Sequence, residues 1–256
     1  MRVVIIIPTY NEKENIEKLL LNHLNILKNK KDNYLFLVVD DNSPDRTGEI
    51  VKEFSSKHKG KIQLLKGKRR GLGIAMTRGY LFALEKFKPD IVISTEADFA
   101  YDPKHISFSV DKIKEGYDVV VASRHIGIGK TKGWTLSRKL NHWVANQFFA
   151  TWVAGVTEVY DHNGAFRAIR VKGVLGKLNL KKLKVSGFGF FNYSLFKLTQ
   201  VTTKFYEFPV TYRFRTRGES KVSFNPKYFG TYLKDVFEYI KLSFKIRMEK
   251  SSIKFR

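Results

Sequence analysis

The run Val3-Val4-Ile5-Ile6-Ile7, followed at once by Pro8-Thr9-Tyr10-Asn11-Glu12, decides the fold class of this chain. An uninterrupted series of β-branched residues is typical of a strand that is buried on both faces, because a strand with one exposed face alternates apolar and polar side chains. Strands of this kind occur in parallel sheets that helices cover on both sides. We therefore expect this strand to lie in the interior of such a sheet.

Strand and helix patterns alternate beyond this first strand, as far as residue 123. Helices are predicted over residues 15–27, 44–54, 73–87 and 103–114, and strands over 34–39, 62–65, 91–94 and 118–122. This alternation predicts an α/β fold with a mostly parallel sheet. A further strand is predicted over 206–214. Ligands of such folds bind beyond the carboxyl ends of the strands, so the residues that follow each strand are the candidates for chemistry.

Carboxylates follow two of the predicted strands. Glu96 and Asp98 are separated by one residue, and together they have the oxygen ligands that Mg²⁺ or Mn²⁺ prefers when substrate phosphates complete the shell. The alternative for this pair is two solvated loop acids. Asp40 and Asp41 are suited either to hydrogen bonds with a nucleotide or to a turn. The sequence therefore offers an acidic site at this edge of the sheet.

Composition restricts the partners. Among 256 residues the net charge is +23, which favours an anionic partner such as a phosphorylated substrate, an anionic lipid or a nucleic acid. The absence of cysteine excludes disulfides and thiolate metal sites. No stretch resembles a signal peptide or a spanning helix of about 20 apolar residues. We expect a cytoplasmic protein or a peripheral one on the cytoplasmic face of a membrane.

The second half of the chain is basic and aromatic. All 3 tryptophans fall between residues 134 and 152, and residues 228–248 carry an apolar helical stripe beside three lysines and one arginine. These features predict either packing onto the sheet or docking at a lipid interface.

The glycines of Gly71-Leu72-Gly73 would let a backbone approach a ligand, but no dinucleotide fingerprint is present. The histidines show no metal-ligand spacing. Five cations are candidates to bind phosphate: Arg124, Arg138, Arg215, Arg217 and Lys221.

The ordered set of motifs resembles glycosyltransferase family 2. The motifs are Pro8-Thr9-Tyr10-Asn11-Glu12, Asp40-Asp41-Asn42-Ser43-Pro44-Asp45, Gly71-Leu72-Gly73, Glu96-Ala97-Asp98 and Ser123-Arg124. Three later segments are similar to the branch of dolichyl-phosphate mannose synthases and related polyprenyl-phosphate sugar transferases. They are Gly133-Trp134 with Arg138, Asp161-His162-Asn163-Gly164-Ala165-Phe166, and Arg215-Thr216-Arg217-Gly218-Glu219-Ser220-Lys221. The chain departs from the branch at Glu96, Ala100 and Tyr193.

The resemblance implies a Rossmann-like GT-A fold and a set of site residues. It implies Mg²⁺ or Mn²⁺ at Glu96 and Asp98, with Asp98 and Arg138 taking part in catalysis. Nucleotide-sugar contacts are implied for Pro8, Tyr10, Glu12, Val39, Asp41, Glu96, Ala97 and Asp98. Contacts with the acceptor phosphate or the donor diphosphate are implied for Arg124, Arg138, Arg215 and Lys221.

The activity implied by the resemblance is inverting transfer of a hexose to dolichyl or polyprenyl phosphate. Mannose from GDP-mannose is the first expectation, and glucose from UDP-glucose or a non-lipid acceptor are the alternatives. A basic nucleic-acid-binding protein is the remote alternative; it would leave the acids at successive strand ends unexplained, so we expect no nucleic-acid partner. A membrane-anchoring subunit stays an open question. We expect a catalytic domain over 1–225, with a nucleotide-sugar half over about 1–123 and an acceptor half over about 124–225. A basic amphipathic segment for the membrane surface is expected over 226–256.

Overall fold

The computed structural model describes residues 1–213 and 226–254 of the chain. Strand β1 spans Arg2–Thr9, and its residues 3–7 are fully buried, so both faces of this strand are covered as the sequence predicts. The other strands are β2 Asn33–Asp40, β3 Ile62–Lys66, β4 Ile91–Ser94, β5 Val119–Ser123, β6 Lys130–Lys132, β7 Arg167–Arg170, β8 Phe205–Pro209 and β9 Thr211–Arg213.

The helices connect these strands in the order that the sequence predicts for the first half. They are α1 Ile16–Leu27, α2 Thr47–Lys57, α3 Leu72–Phe87, α4 Lys104–Lys114, α5 Leu136–Trp143, α6 Gly189–Thr199 and α7 Pro226–Lys254. A π-helical segment, Val144–Val153, continues α5 directly, and short 3₁₀ turns occur at Leu175–Lys177 and Leu180–Lys182. Neither the π-helical geometry nor these turns was predicted from the sequence.

In the part of the chain that the structure describes, the main sheet has seven strands in the order β3-β2-β1-β4-β7-β5-β8. Of these, β7 runs antiparallel to its neighbours and the other pairs are parallel, so the predicted mostly parallel sheet is confirmed. In the register of β1 and β2, Pro8 lies opposite Val39 and Thr9 opposite Asp40. The turns that follow these two strands therefore begin at the same level of one sheet edge.

The single strand predicted over residues 206–214 is two strands in the structure. Strand β8 ends at Pro209. The next amide, that of Val210, donates to the carbonyl of Ser123 at 2.8 Å. Strand β9 then pairs with β6 in a separate sheet of two strands. This change of sheet places Tyr212, in the middle of β9, away from the main ladder.

Helix α7 confirms the predicted C-terminal helix, and only part of its apolar surface packs against the protein. It lies against α6 and the π-helical segment, and Tyr239, Leu242 and Ile246 are buried there. Phe237 and Phe244, which belong to the predicted apolar stripe, are instead 63% and 55% exposed. Within the described residues, no helix combines the length and apolar character that crossing a bilayer requires.

The start of α3 packs closely against the loop before α6. The amide of Gly73 donates to the carbonyl of Ser186 at 2.9 Å. A Cβ added at Gly73 would lie 2.1 Å from the carbonyl oxygen of Val185, and one at Gly71, where φ is +106°, would lie 2.4 Å from that of Ser186. These glycines therefore let one backbone segment approach another, where the sequence suggested an approach to a ligand.

We expect Gly73→Ala to lower the free energy of unfolding by about 1–3 kcal/mol, because a methyl group has to displace backbone atoms. Gly230→Ala in α7 is the matched control, since a Cβ there meets nothing within 4 Å. Removing that helical glycine should stabilise the protein by up to about 1 kcal/mol. Urea unfolding of both variants measures the difference, and equal midpoints would contradict the close approach.

Candidate active site

A cavity of about 500 Å³ lies beyond the carboxyl ends of β1, β2 and β4. Its wall contains residues that follow each of these strands, which are far apart in sequence. The residues it shares with the sequence prediction are Pro8, Tyr10, Glu12, Asp41, Glu96, Ala97, Asp98 and Arg138. The parallel sheet thus brings the predicted donor-binding and metal-binding residues to one place.

Val39 is the predicted donor contact that the cavity wall lacks. Its side chain is fully buried in β2, and one Cγ lies 3.0 Å from the position that a Cβ of Gly79 in α3 would occupy. The side chain therefore packs in the core beneath the site.

The two neighbouring aspartates after β2 have different surroundings. Asp40 accepts hydrogen bonds from the hydroxyl of Thr9 at 3.1 Å and from the amide of Ser43 at 3.0 Å, so it stabilises the turn. Asp41 lies on the cavity wall, where a guanidinium nitrogen of Arg78 donates to it at 2.7 Å. Burial raises the pKa of Asp41, while Arg78 opposes that shift. The sequence left a turn and a nucleotide contact as alternatives for this pair. The structure places Asp40 in the turn and Asp41 on the cavity wall.

Glu96 and Asp98 lie on the same wall, and each has a defined partner. The hydroxyl of Tyr212 donates to Glu96 Oε2 at 3.0 Å. Asp98, which is buried, accepts from the amide of Ala100 at 3.2 Å. Phe99, the residue between Asp98 and Ala100, adopts the left-handed backbone conformation with a φ of +61°. This conformation is strained for a residue with a bulky side chain.

The donor chemistry of this pair fits a hard divalent cation. Two carboxylates on a cavity wall that has no histidine among its lining residues provide oxygen ligands only, as Mg²⁺ and Mn²⁺ prefer. Two protein ligands leave the remaining positions to phosphate oxygens and water, which is how such cations bind nucleotide substrates.

A second cavity, of about 210 Å³, opens beside the first. Its wall is mainly aromatic and aliphatic, and it is formed by α5, the π-helical segment and α7. Arg138 lies between the cavities and stacks over the ring of Trp134 at 4.8 Å. We call the shared wall the junction. It is lined by Glu96, Arg138, Phe188, Phe191, Tyr212 and Asp235.

Arg124 lines the second cavity, and its guanidinium forms an ion pair with Asp161. Its Nε and one terminal nitrogen donate to the two carboxylate oxygens at 2.7 and 2.6 Å, and both residues are buried. Although burial alone would raise it, the pKa of Asp161 lies well below its usual range because of the Arg124 charge. The role predicted for Arg124, a phosphate contact, stays a prediction. Arg215, Arg217 and Lys221 lie outside the described residues.

The fold brings together two histidines that are far apart in the sequence. Nε2 of His125 lies 3.0 Å from Nε2 of His142, and Asp161 is close enough for the group to hold a metal ion. Arg124, however, already binds both carboxylate oxygens of Asp161 and adds a positive charge. The carboxylates of Glu96 and Asp98 are therefore the more suitable site for a divalent cation.

The junction also contains residues that sequence reasoning missed. Phe188, Phe191 and Asp235 belong to no motif that the sequence analysis used, and Tyr212 was assigned only to a strand. The alternating pattern around Tyr212 was the sole sequence signal. Their positions depend on how the second half of the chain folds back over the strand ends.

The model of the family described as "Glycosyl transferase family 2" matches residues 4–175 of this sequence. The chain belongs to glycosyltransferase family 2. It is 33% identical over 241 residues to the dolichol-phosphate mannosyltransferase of Pyrococcus furiosus, and the alignment covers 94% of this chain and 62% of the relative. This family 2 glycosyltransferase thus spans less than two thirds of that relative's length.

Two further comparisons concern a second relative and the fold. The undecaprenyl-phosphate mannosyltransferase of Micrococcus luteus is 31% identical over 223 residues, which cover 87% of this glycosyltransferase and 88% of the relative. Glucosyl-3-phosphoglycerate synthase from Mycobacterium tuberculosis, solved with Mn²⁺, UDP and phosphoglyceric acid, superposes with a TM-score of 0.63 at 15% identity, covering 94% and 78% of the two chains. The architecture is the GT-A fold that the motifs implied.

We expect Tyr212→Phe to lower the kcat/KM of this glycosyltransferase about ten- to a hundredfold. The variant keeps the aromatic packing but removes the hydrogen bond to Glu96, and a hydrogen bond to a charged group contributes about 1.5–3 kcal/mol. Steady-state kinetics with the divalent cation varied provides the measurement. Tyr206→Phe, in β8 outside both cavities, is the matched control. An unchanged cation requirement and rate in Tyr212→Phe would show that Tyr212 does not orient Glu96.

Proposed function

We propose that this glycosyltransferase transfers a hexose, mannose from GDP-mannose, to dolichyl or polyprenyl phosphate with inversion at the anomeric carbon. The observation that carries the proposal is the junction, where a cavity lined by carboxylates opens into an aromatic cavity beside Arg138. A polar donor and an apolar acceptor can meet at such a boundary. The names of the Pyrococcus furiosus and Micrococcus luteus relatives support a lipid phosphate acceptor and mannose.

The donor would bind in the larger cavity. Asp41 and Glu12 supply acceptors for the hydroxyl and amino groups of a nucleoside, and Arg69 lies 4.0 Å above the ring of Tyr10. Arg69 and Arg70 also add positive charge to this wall, which suits a diphosphate. The nucleobase is not specified by these contacts, so UDP-glucose is the donor that a transfer assay must exclude.

Glu96 and Asp98 would hold Mg²⁺ or Mn²⁺ against the donor diphosphate. The Mycobacterium tuberculosis glucosyl-3-phosphoglycerate synthase was solved with Mn²⁺ together with UDP, which supports this assignment. A cation bound there stabilises the charge of the leaving nucleoside diphosphate. Tyr212 and the amide of Ala100 orient the two carboxylates toward that task.

The acceptor needs positioning rather than deprotonation. The second pKa of a phosphate monoester is about 6, so the acceptor phosphate is largely a dianion near neutral pH. One of its oxygens forms the new bond to the anomeric carbon while the bond from that carbon to the diphosphate oxygen breaks. Arg138, at the junction, holds the two repelling anions in line, and attack from the opposite side inverts the configuration.

The lipid chain would lie at a membrane surface that the protein contacts from the cytoplasmic side. The outer sides of α5 and the π-helical segment expose large apolar residues, and α7 adds more beside its lysines and Arg247. The exposed residues are Leu136, Leu140, Trp143, Phe148, Trp152, Leu233, Phe237, Phe244 and Met248. Aromatic residues with flanking cations suit the interface of an anionic bilayer. We therefore propose peripheral attachment through these helices, with residues 226–256 as the membrane-surface segment of a catalytic domain over 1–225.

The transfer assay tests the reaction. Purified protein is given radiolabelled GDP-mannose or UDP-glucose, dolichyl phosphate and either Mg²⁺, Mn²⁺ or EDTA. We expect label in the organic phase from GDP-mannose only, and loss of that label with EDTA. Arg138→Ala should lower turnover about a hundredfold, because it removes a preorganised charge contact. Lys139→Ala, the exposed neighbour in α5, is the matched control.

Label from UDP-glucose instead would replace the donor assignment. Label transferred only to a water-soluble acceptor would contradict the lipid acceptor, and turnover of Arg138→Ala within about threefold of the wild type would contradict the role of Arg138.

Liposome flotation tests the membrane surface. We expect the double variant Trp143→Ser, Trp152→Ser to bind vesicles of anionic lipid about tenfold or more weakly, since each exposed indole would otherwise be buried at the interface. Ile128→Ser is the matched control, because Ile128 is 84% exposed and lies outside these helices. Equal flotation of the two variants would refute docking through the tryptophans.

A further inference from the structure

Asp235, in helix α7, places a carboxylate at the junction of the two cavities. It is half-buried and lines both cavity walls, as do Glu96 and Arg138. It is also the charged residue at the junction that comes from α7, the helix whose outer face carries Phe237 and Phe244.

The carboxylate of Asp235 has acceptor capacity for a ligand. Among the residues whose side chains the structure describes, which leave out 214–229, 231 and 253–256, none donates a hydrogen bond to it or forms an ion pair with it. Burial and the neighbouring charge of Glu238 raise the pKa of Asp235 to about 6, and Lys234 only partly opposes them. A half-buried carboxylate that finds no donor among these side chains is costly for the folded state, and groups with raised pKa values are concentrated at binding sites.

The protein provides space for this carboxylate. A Cβ added at Gly187 would lie 2.5 Å from Asp235 Oδ1, so only glycine fits opposite Asp235 without a shift. Nearby on α7, Glu238 accepts hydrogen bonds from the amide of Ser186 at 3.0 Å, its hydroxyl at 2.9 Å and the amide of Gly187 at 3.1 Å. These contacts fix α7 to the wall and thereby fix the position of Asp235.

The segment that holds Glu238 also contacts the start of α3, beside the larger cavity. Ser186, whose amide and hydroxyl bind Glu238, accepts the hydrogen bond of Gly73 at the start of α3. Gly71 and Leu72 of that segment line the larger cavity. Asp235 therefore has a fixed position relative to the walls of both cavities.

The group that moves from donor to acceptor must occupy the junction. Its charged neighbours there have other tasks: Glu96 accepts the hydrogen bond of Tyr212, and in the proposed function Arg138 binds the two anions. A sugar presents several hydroxyl donors, and a carboxylate with two oxygens accepts from two of them at once.

We propose that Asp235 accepts hydrogen bonds from hydroxyl groups of the transferred sugar and so helps to decide which sugar is transferred. The proposal rests on the proposed function, because it assumes that a nucleotide sugar is the donor. It makes Asp235 a specificity-determining residue that the C-terminal helix contributes to the active site.

Calorimetric binding without the acceptor tests this role. The wild type, Asp235→Asn and Asp235→Ala are titrated with GDP and GDP-mannose, and with UDP and UDP-glucose, in the presence of Mn²⁺. We expect the variants to bind the sugar-free nucleotides within about twofold of the wild type. Binding of the nucleotide sugar should weaken about ten- to a hundredfold, because hydrogen bonds to a charged group are lost. Asp111→Asn is the matched control, since the Asp111 side chain is 64% exposed on α4.

The outcomes separate this proposal from the proposed function. If the wild type binds no nucleotide sugar, the proposed function fails. If it binds one and both Asp235 variants bind it equally well, the role of Asp235 is refuted and the function stands. If both variants also lose the sugar-free nucleotide, Asp235 acts through the structure of the site and the proposal is overturned. A change in the ratio of rates with GDP-mannose and UDP-glucose in Asp235→Asn would support it further.

Discussion

The in-register parallel pairing of β1 with β2 and β4 is the constraint on which the site depends. The register fixes which residues of neighbouring strands lie opposite each other, and a slip would leave backbone groups unpaired. Parallel strands have their carboxyl ends at the same edge of the sheet, so the turns that follow them lie near each other. Asp41, Glu96 and Asp98 meet for this reason, although more than 50 residues separate Asp41 from Glu96.

The second half of the chain completes the site by covering that edge. Strand β9 leaves the main sheet after Pro209 and carries Tyr212 to Glu96, while α7 brings Asp235 to the junction. The buried pair of Arg124 and Asp161 lies beneath this cover, and Trp134 stacks between Arg124 and Arg138. Loss of either member of such a pair leaves a buried charge, which costs about 3–5 kcal/mol. The arrangement of cations around the second cavity therefore depends on this buried ion pair as well as on the residues that line the cavity.

Helix α7 has two environments that bear on function. Its inner side packs on α6 through Leu242 and Ile246 and contributes Asp235 to the junction, while Phe237 and Phe244 face outward. In the proposed function the acceptor phosphate lies at a bilayer surface, so the helix that would rest on that surface would also line the reaction site. In the proposed function, the same element would bring the phosphate and the sugar together.

Several features of this protein could be predicted from the sequence, because they depend on local patterns. The runs of β-branched residues and the helical periods predict the alternation of strands and helices, and the motifs at strand ends predict the larger cavity and the family. The tertiary structure alone decided which side chains reach the site. Val39 points into the core and Asp40 into its own turn, whereas Tyr212, Phe188 and Asp235 reach the junction. The physical reason is that side-chain direction and long-range contact depend on how the second half packs over the first. Neither is encoded in the spacing of residues along one strand or helix.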